Sequence, residues 1–196
     1  MKKLIVLGLL LLSCLSFIGC GGGGGIAGKD KFEGDWYNED RITKGGITRH
    51  RIEKIEDGKY AYATVSVSAI AHPLHAKEAF PSREKWESLY ISVKDKKDII
   101  MDVQYKKTLF YDSEKKILDN GAAEIVKLSS SSFSEDELKT LYNKVSQTNK
   151  KREPDIPVPS FEEYKADIKK TDKELEKLIT EVKDQYKRGV YLQYMN

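Results

Sequence analysis

The chain has 196 residues, of which 33% are charged and 39% hydrophobic, with a formal net charge of +3, two cysteines and three histidines. Charges of both signs are interspersed and no basic block occurs, which argues against a nucleic-acid footprint and describes a well-solvated surface. Two cysteines, Cys14 and Cys20, are both near the start of the chain. The remainder must therefore fold without a disulfide, and about 170 residues suffice for one core with an appendage.

The first segment runs from Met1-Lys2-Lys3 through the apolar stretch Leu4 to Leu12, and on to Phe17-Ile18-Gly19-Cys20 and Gly21 to Gly25. A basic pair ahead of an uncharged apolar run, with a small residue before a cysteine, has the form of an export signal. It resembles the type II signal peptide of bacterial lipoproteins, which implies cleavage after residue 19 and a lipid on Cys20. The residue three before that cysteine is Phe17 where the family usually has Leu. A competing position is Cys14, within Leu11-Leu12-Ser13-Cys14, which leaves a hydrophobic region of only about nine residues. A retained membrane anchor is the further alternative, although the apolar run falls short of the roughly 20 residues needed to span. Residues 20–31 then read as a lipidated, flexible glycine tether. Loss of Lys2 and Lys3 takes the formal charge from +3 to +1. The expected address is the bacterial cell envelope, lipid-anchored and facing the periplasm or the exterior.

Residues 32–128 have the period and punctuation of an antiparallel sheet. Strands are expected near Gly34 to Tyr37 and Thr48 to Glu56, and Asp57-Gly58 suits a tight primed hairpin turn. The stretch from Tyr60 to Ala69 alternates Ala61, Ala63, Val65, Val67 and Ala69 on one face with Tyr60, Tyr62, Thr64, Ser66 and Ser68 on the other. Further strands are expected at Leu89-Ile91-Val93, at Ile99-Met101-Val103-Tyr105, at Leu109 to Tyr111, and at Ile117-Leu118. Asn120-Gly121 then turns into Ala122 to Leu128. About eight strands joined by short turns predict an α+β chain whose β-meander closes into a small barrel or a curved sheet.

Glu33-Gly34-Asp35-Trp36-Tyr37 carries a Gly-x-Trp at the head of the meander, and in this it resembles lipocalin-like barrels. That resemblance implies that Trp36 closes one barrel end and that the interior binds a small apolar ligand. The alternative is that Trp36 is an ordinary core aromatic. The irregular segment from Ala71 to Trp86 could lie over the barrel mouth. His72, His75 and Glu78 are ligand types for zinc, but Pro73 interrupts a helix there and no fourth ligand is evident. No metal and no cofactor are expected.

Residues 129–196 read as a helical segment. Ser134 to Glu137 and Ser160 to Glu163 are capping boxes, separated by an extended, proline-rich linker near 154–159. The second helix is predicted over 161–188, stopped by Gly189, with an apolar seam of Phe161, Tyr164, Ile168, Leu175, Leu178, Ile179, Val182 and Tyr186 interrupted by Thr171. The seam packs within the chain, pairs with another protein, or lies on a membrane; the mixed charges of its polar face disfavour the last. The tail Val190 to Tyr194 could add an edge strand.

No Gly-x-Ser-x-Gly elbow, P-loop or dinucleotide fingerprint occurs, so a non-catalytic role is expected. Two functions compete. One is a small apolar or amphipathic ligand held near Trp36, Tyr60, Tyr62 and Trp86; the other is a protein partner or a second copy docked on helix 161–188. A cavity on the order of 300 Å³ favours the first, and a packed interior with an exposed helix stripe favours the second.

Overall fold

The computed structural model describes residues 30–39, 46–67, 85–128, 132–152, 154–155 and 157–195. Cys14, Cys20, the glycine tether, and the segment holding His72, His75 and Glu78 lie outside the described residues. Eight strands are β1 (Gly34–Glu39), β2 (Ile47–Glu56), β3 (Lys59–Val67), β4 (Lys85–Val93), β5 (Lys96–Asp102), β6 (Thr108–Asp112), β7 (Ile117–Asp119) and β8 (Glu124–Lys127). They pair in sequence order, all antiparallel, and β8 returns to β1 through Trp36 with Lys127 and Tyr37 with Val126. Closure leaves no sheet edge. At Asp57-Gly58, Gly58 has φ +71°, the left-handed backbone that a tight hairpin turn requires and that glycine adopts without steric cost.

The barrel turns the most regular apolar faces of its sequence outward. Ala61, Ala63 and Val65 of β3, with Leu89 of β4 and Val103, form a buried cluster with Leu175, Leu178, Ile179 and Val182 of helix α2 (Phe161–Lys187). Small side chains on β3 let the helix approach the sheet closely. Full burial of each aliphatic side chain along that seam contributes about 2 kcal/mol. Ile99 and Met101 also take the outward phase, and their neighbour Ile100 is the side chain in the interior cluster. The seam is thus spent on the barrel wall, which corrects its reading as a docking stripe for a protein partner or a second copy.

Helix α1 (Glu135–Arg152) packs Leu138, Leu141 and Val145 against Tyr164 and Ile168 of α2 and against Ile47 and Val67 at one end of the wall. Both capping boxes form: Glu137 N donates to Ser134 Oγ and Glu163 N to Ser160 Oγ, each at 3.3 Å, with the glutamate side chains accepting in return. α1 continues to Arg152, just short of the proline-rich linker expected near 154–159. Tyr142 Oη donates to Pro159 O at 2.6 Å, fastening the proline segment to that helix. Gly189 ends α2 at φ +75°. The tail forms a short helix, α3 (Leu192–Met195), rather than the expected edge strand, for a closed barrel offers no edge to extend.

Candidate functional site

Inside the barrel, the inward positions of β1 to β4 carry mainly aromatic and polar side chains with Ile52 among them, and the later strands add Ile100, Leu109, Leu118 and Ile125. The end where β1 starts is sealed. Trp36 is 0% exposed, and its Nε1 donates to Phe32 O at 3.0 Å. Phe32 stands edge-on to Tyr60, with centroids 5.6 Å apart, and to Tyr111, and Trp36 meets Tyr111 in the same way. Tyr60 Oη donates to Asp30 Oδ2 at 2.7 Å, tying residues 30–33 beneath the barrel. Burial and then the Asp30 contact raise the Tyr60 phenol to about 12, so it stays a donor. Lys127 stands over the Trp36 ring at 4.9 Å and donates to Glu33 O at 2.7 Å. Trp36 therefore closes one end, and Tyr60 belongs to the same plug.

Toward the opposite end the lining changes. Tyr62 packs on Tyr90, with centroids 4.8 Å apart, and on Trp86 at 5.1 Å, while Trp86 is edge-on to Tyr90. Register explains the grouping, since Tyr62 pairs with Ser88 and Thr64 with Trp86 across β3 and β4. Directly opposed residues on an antiparallel pair share a face. Trp86 is half-buried, and Lys107 Nζ sits 4.7 Å from its ring centre.

His50, on the inward phase of β2, is held between Tyr62 Oη at 2.6 Å from Nδ1 and Asn38 Oδ1 at 2.7 Å from Nε2. An imidazole that donates from Nε2 and accepts at Nδ1 satisfies both partners while neutral. Burial lowers its pKa to about 3. Burial likewise pushes the Tyr62 and Tyr90 phenols far up. Asp102, fully buried, accepts from Ser88 Oγ and from the backbone N–H groups of Gln104, at 2.9 Å, and Tyr105. It holds the turn that completes the wall beside Trp86, and burial raises its carboxyl despite those donors.

Of the four expected binding residues, the structure splits Trp36 and Tyr60, at the sealed end, from Tyr62 and Trp86, at the other. His50, Tyr90, Ser88 and Asp102 were missed by motif reasoning. A signal for His50 existed: it is two residues before Ile52 on an alternating strand, in the phase that faces Trp36 across the ladder.

An eight-stranded up-and-down antiparallel barrel, plugged at one end and flanked by helices, has lipocalin-like architecture. The chain is similar to the siderocalin Ex-FABP, a protein that functions through dual ligand specificities, at 14% identity and TM-score 0.33 over 61% of this chain and 87% of that one. The architecture stands on the closed strand order rather than on this likeness. No protein-family model and no curated protein matches the chain.

Proposed function

We propose that the protein is a non-catalytic envelope lipoprotein that holds a small amphipathic ligand in the Trp86 half of its barrel. The observation that carries this is the direction of β3. Its alanine and valine face turns out to the helix, whereas Tyr62 turns in with Tyr90, Trp86, His50 and Ser88. The buried imidazole and hydroxyls are held by partners within the wall, His50 by Tyr62 and Asn38 and Ser88 by Asp102, so they stay buried at low cost. A ligand with an apolar body and a polar group makes use of both, with the ring faces taking the body and the hydroxyls the head.

Anchoring through Cys20 is part of the same proposal and is supported by the sequence of the leader. Incorporation of labelled palmitate should be lost in Cys20→Ser and kept in Cys14→Ser. For the ligand, organic extracts of repeated preparations of the purified protein should yield one recurring amphiphile by mass spectrometry. Added lauric acid should saturably change the tryptophan emission of the stripped protein, and should cease to do so in Trp86→Phe. Clean extracts together with an unresponsive Trp86 would remove the binding reading.

A further inference from the structure

Glu87 of β4 stands across from Ala63 of β3, on the outer face of the barrel that α2 covers. The small alanine leaves room there for a carboxyl between strand and helix. On α2, Lys177, Glu181 and Gln185 recur every four residues, which places them on one stripe. Gln185 Nε2 donates to Glu87 Oε1 at 3.3 Å, and the Glu181 carboxyl is within hydrogen-bonding reach of the same side chain. Tyr191 Oη donates to Gln185 Oε1 at 2.8 Å, which fixes that amide with its NH₂ toward Glu87. The other carboxyl oxygen, Oε2, is shut off from water, and among the described residues no N–H or O–H donates to it. A bare carboxylate oxygen in such a place is costly, and a second carboxylate beside it raises the cost.

We propose that Glu87 and Glu181 hold one proton between them, a carboxyl–carboxylate link that fastens the C-terminal half of α2 to the barrel in acid and loosens it in alkali. The shared proton is the donor that Glu87 Oε2 lacks, since a protonated carboxyl donates where an ionised one only accepts. Burial, and then Glu181, raise the Glu87 carboxyl above its ordinary 4.5. Lys177 pulls the other way and lies 3.5 Å from Glu181, but it is 70% exposed and water screens it. From the tail, the Tyr191 phenol is raised to about 12 by burial and stays neutral, and β3 brings only the uncharged Ala63. The folded chain keeps a proton that the unfolded chain gives up from pH 4.5 upward. The link is therefore complete below that pH and is lost as pH rises through the pair's own value. His50 acts with the opposite sign, so the pair is isolated by comparing variants.

Urea unfolding of the full-chain protein is followed from about pH 4.5 to about pH 9 in the wild type, Glu87→Gln, Glu181→Gln and Glu176→Gln. Glutamine at 87 keeps the acceptor for Gln185 and carries a permanent donor toward Glu181. Relative to Glu87→Gln, the folding constant of the wild type should fall by up to about tenfold per pH unit until the pair is bare. Glu181→Gln should remove the same slope, and Glu176→Gln, an exposed carboxyl of the same helix, should follow the wild type. Amide hydrogen exchange locates the loss: protection over residues 177–187 should fall with pH ahead of that over 161–171, and should not do so in Glu87→Gln. Wild-type and Glu87→Gln curves that stay parallel, or an equal effect of Glu176→Gln, overturn the proposal. So does a carbon-13 titration of the wild-type glutamate carboxyls in which neither Glu87 nor Glu181 rises above the ordinary value, whether or not the variants fold.

Discussion

Arg49 of β2 donates from Nη1 to the Thr171 hydroxyl of α2 at 2.8 Å, although the two residues are 122 positions apart. The same guanidinium reaches Asp172, lies 3.9 Å from Asp35, and rests 5.5 Å from the Phe133 ring. Arg49 is 0% exposed on the outer face of the barrel. Thr171, the polar interruption in an apolar seam, is thus the acceptor that lets a buried arginine sit beneath the helix.

Removing that arginine takes a cation from Asp172, while Asp35 keeps Arg51 at 2.8 Å, and opens a hole under α2. Arg49→Ala should cost about 3 kcal/mol, in the range for breaking a buried ion pair by deleting one partner. Urea unfolding followed by circular dichroism measures it. A double-mutant cycle with Thr171→Val should return a coupling of about 1 kcal/mol; a coupling of zero would mean that the Arg49 effect is packing alone.

Ala63 is fully buried between β3 and the helix seam. Ala63→Leu should destabilise by about 1 to 3 kcal/mol, because a packed interface has no room for extra methylenes. Ala63→Ser, of similar volume, should leave the helix in place. Near-ultraviolet circular dichroism and thermal unfolding distinguish the two.

His50 makes stability depend on acid. Its folded pKa lies near 3, below the ordinary value of 6.5, because burial penalises the charged ring. Between those values the unfolded chain binds a proton that the native chain refuses, so stability falls as pH drops through 6.5 and keeps falling to about 3. At pH 5 the loss is about 2 kcal/mol relative to a chain without this group. His50→Gln should reduce the loss of unfolding free energy between pH 7 and pH 5 by that amount, read from urea unfolding at both pH values, whatever the carboxylates do. An identical pH profile in the variant would show that His50 is not buried in its neutral form.

The two tryptophans should report from opposite ends. In Trp86→Phe the remaining Trp36 emission should be blue-shifted and shielded from iodide, as expected of an indole with no exposed surface. In Trp36→Phe the emission should come from the half-buried Trp86 and be quenched more strongly. Loss of the Trp36 donor bond to Phe32 should also cost about 1 to 2 kcal/mol in thermal unfolding.

Much of the architecture could be read before any coordinates. Alternation, the Asp57-Gly58 and Asn120-Gly121 turns and two capping boxes predicted eight strands followed by helices, because those signals act within a few residues of themselves. Which face of each strand looks inward was not legible. Leu89, Ile91 and Val93 form a clear apolar period, yet Leu89 packs beneath α2 and Tyr90 points into the barrel. Alternation identifies two faces, but only closure and the docking of a helix decide which is the interior.

The candidate site divides in the same way. A barrel end at Trp36 was implied only by the resemblance that Gly34-x-Trp36 carries, since local pattern alone leaves Trp36 as an ordinary core aromatic. The grouping of Trp86 with Tyr62 and Tyr90 depends on cross-strand register, and that of Arg49 with Thr171 on a helix returning over the sheet. By itself the sequence determined a meander with capped helices and no catalytic motif, all consequences of local pattern. Tertiary structure alone decided that the helix seam is consumed by the barrel wall and that aromatic, polar and aliphatic side chains together line its interior. Those outcomes depend on contacts between residues far apart in the chain, which no local period encodes.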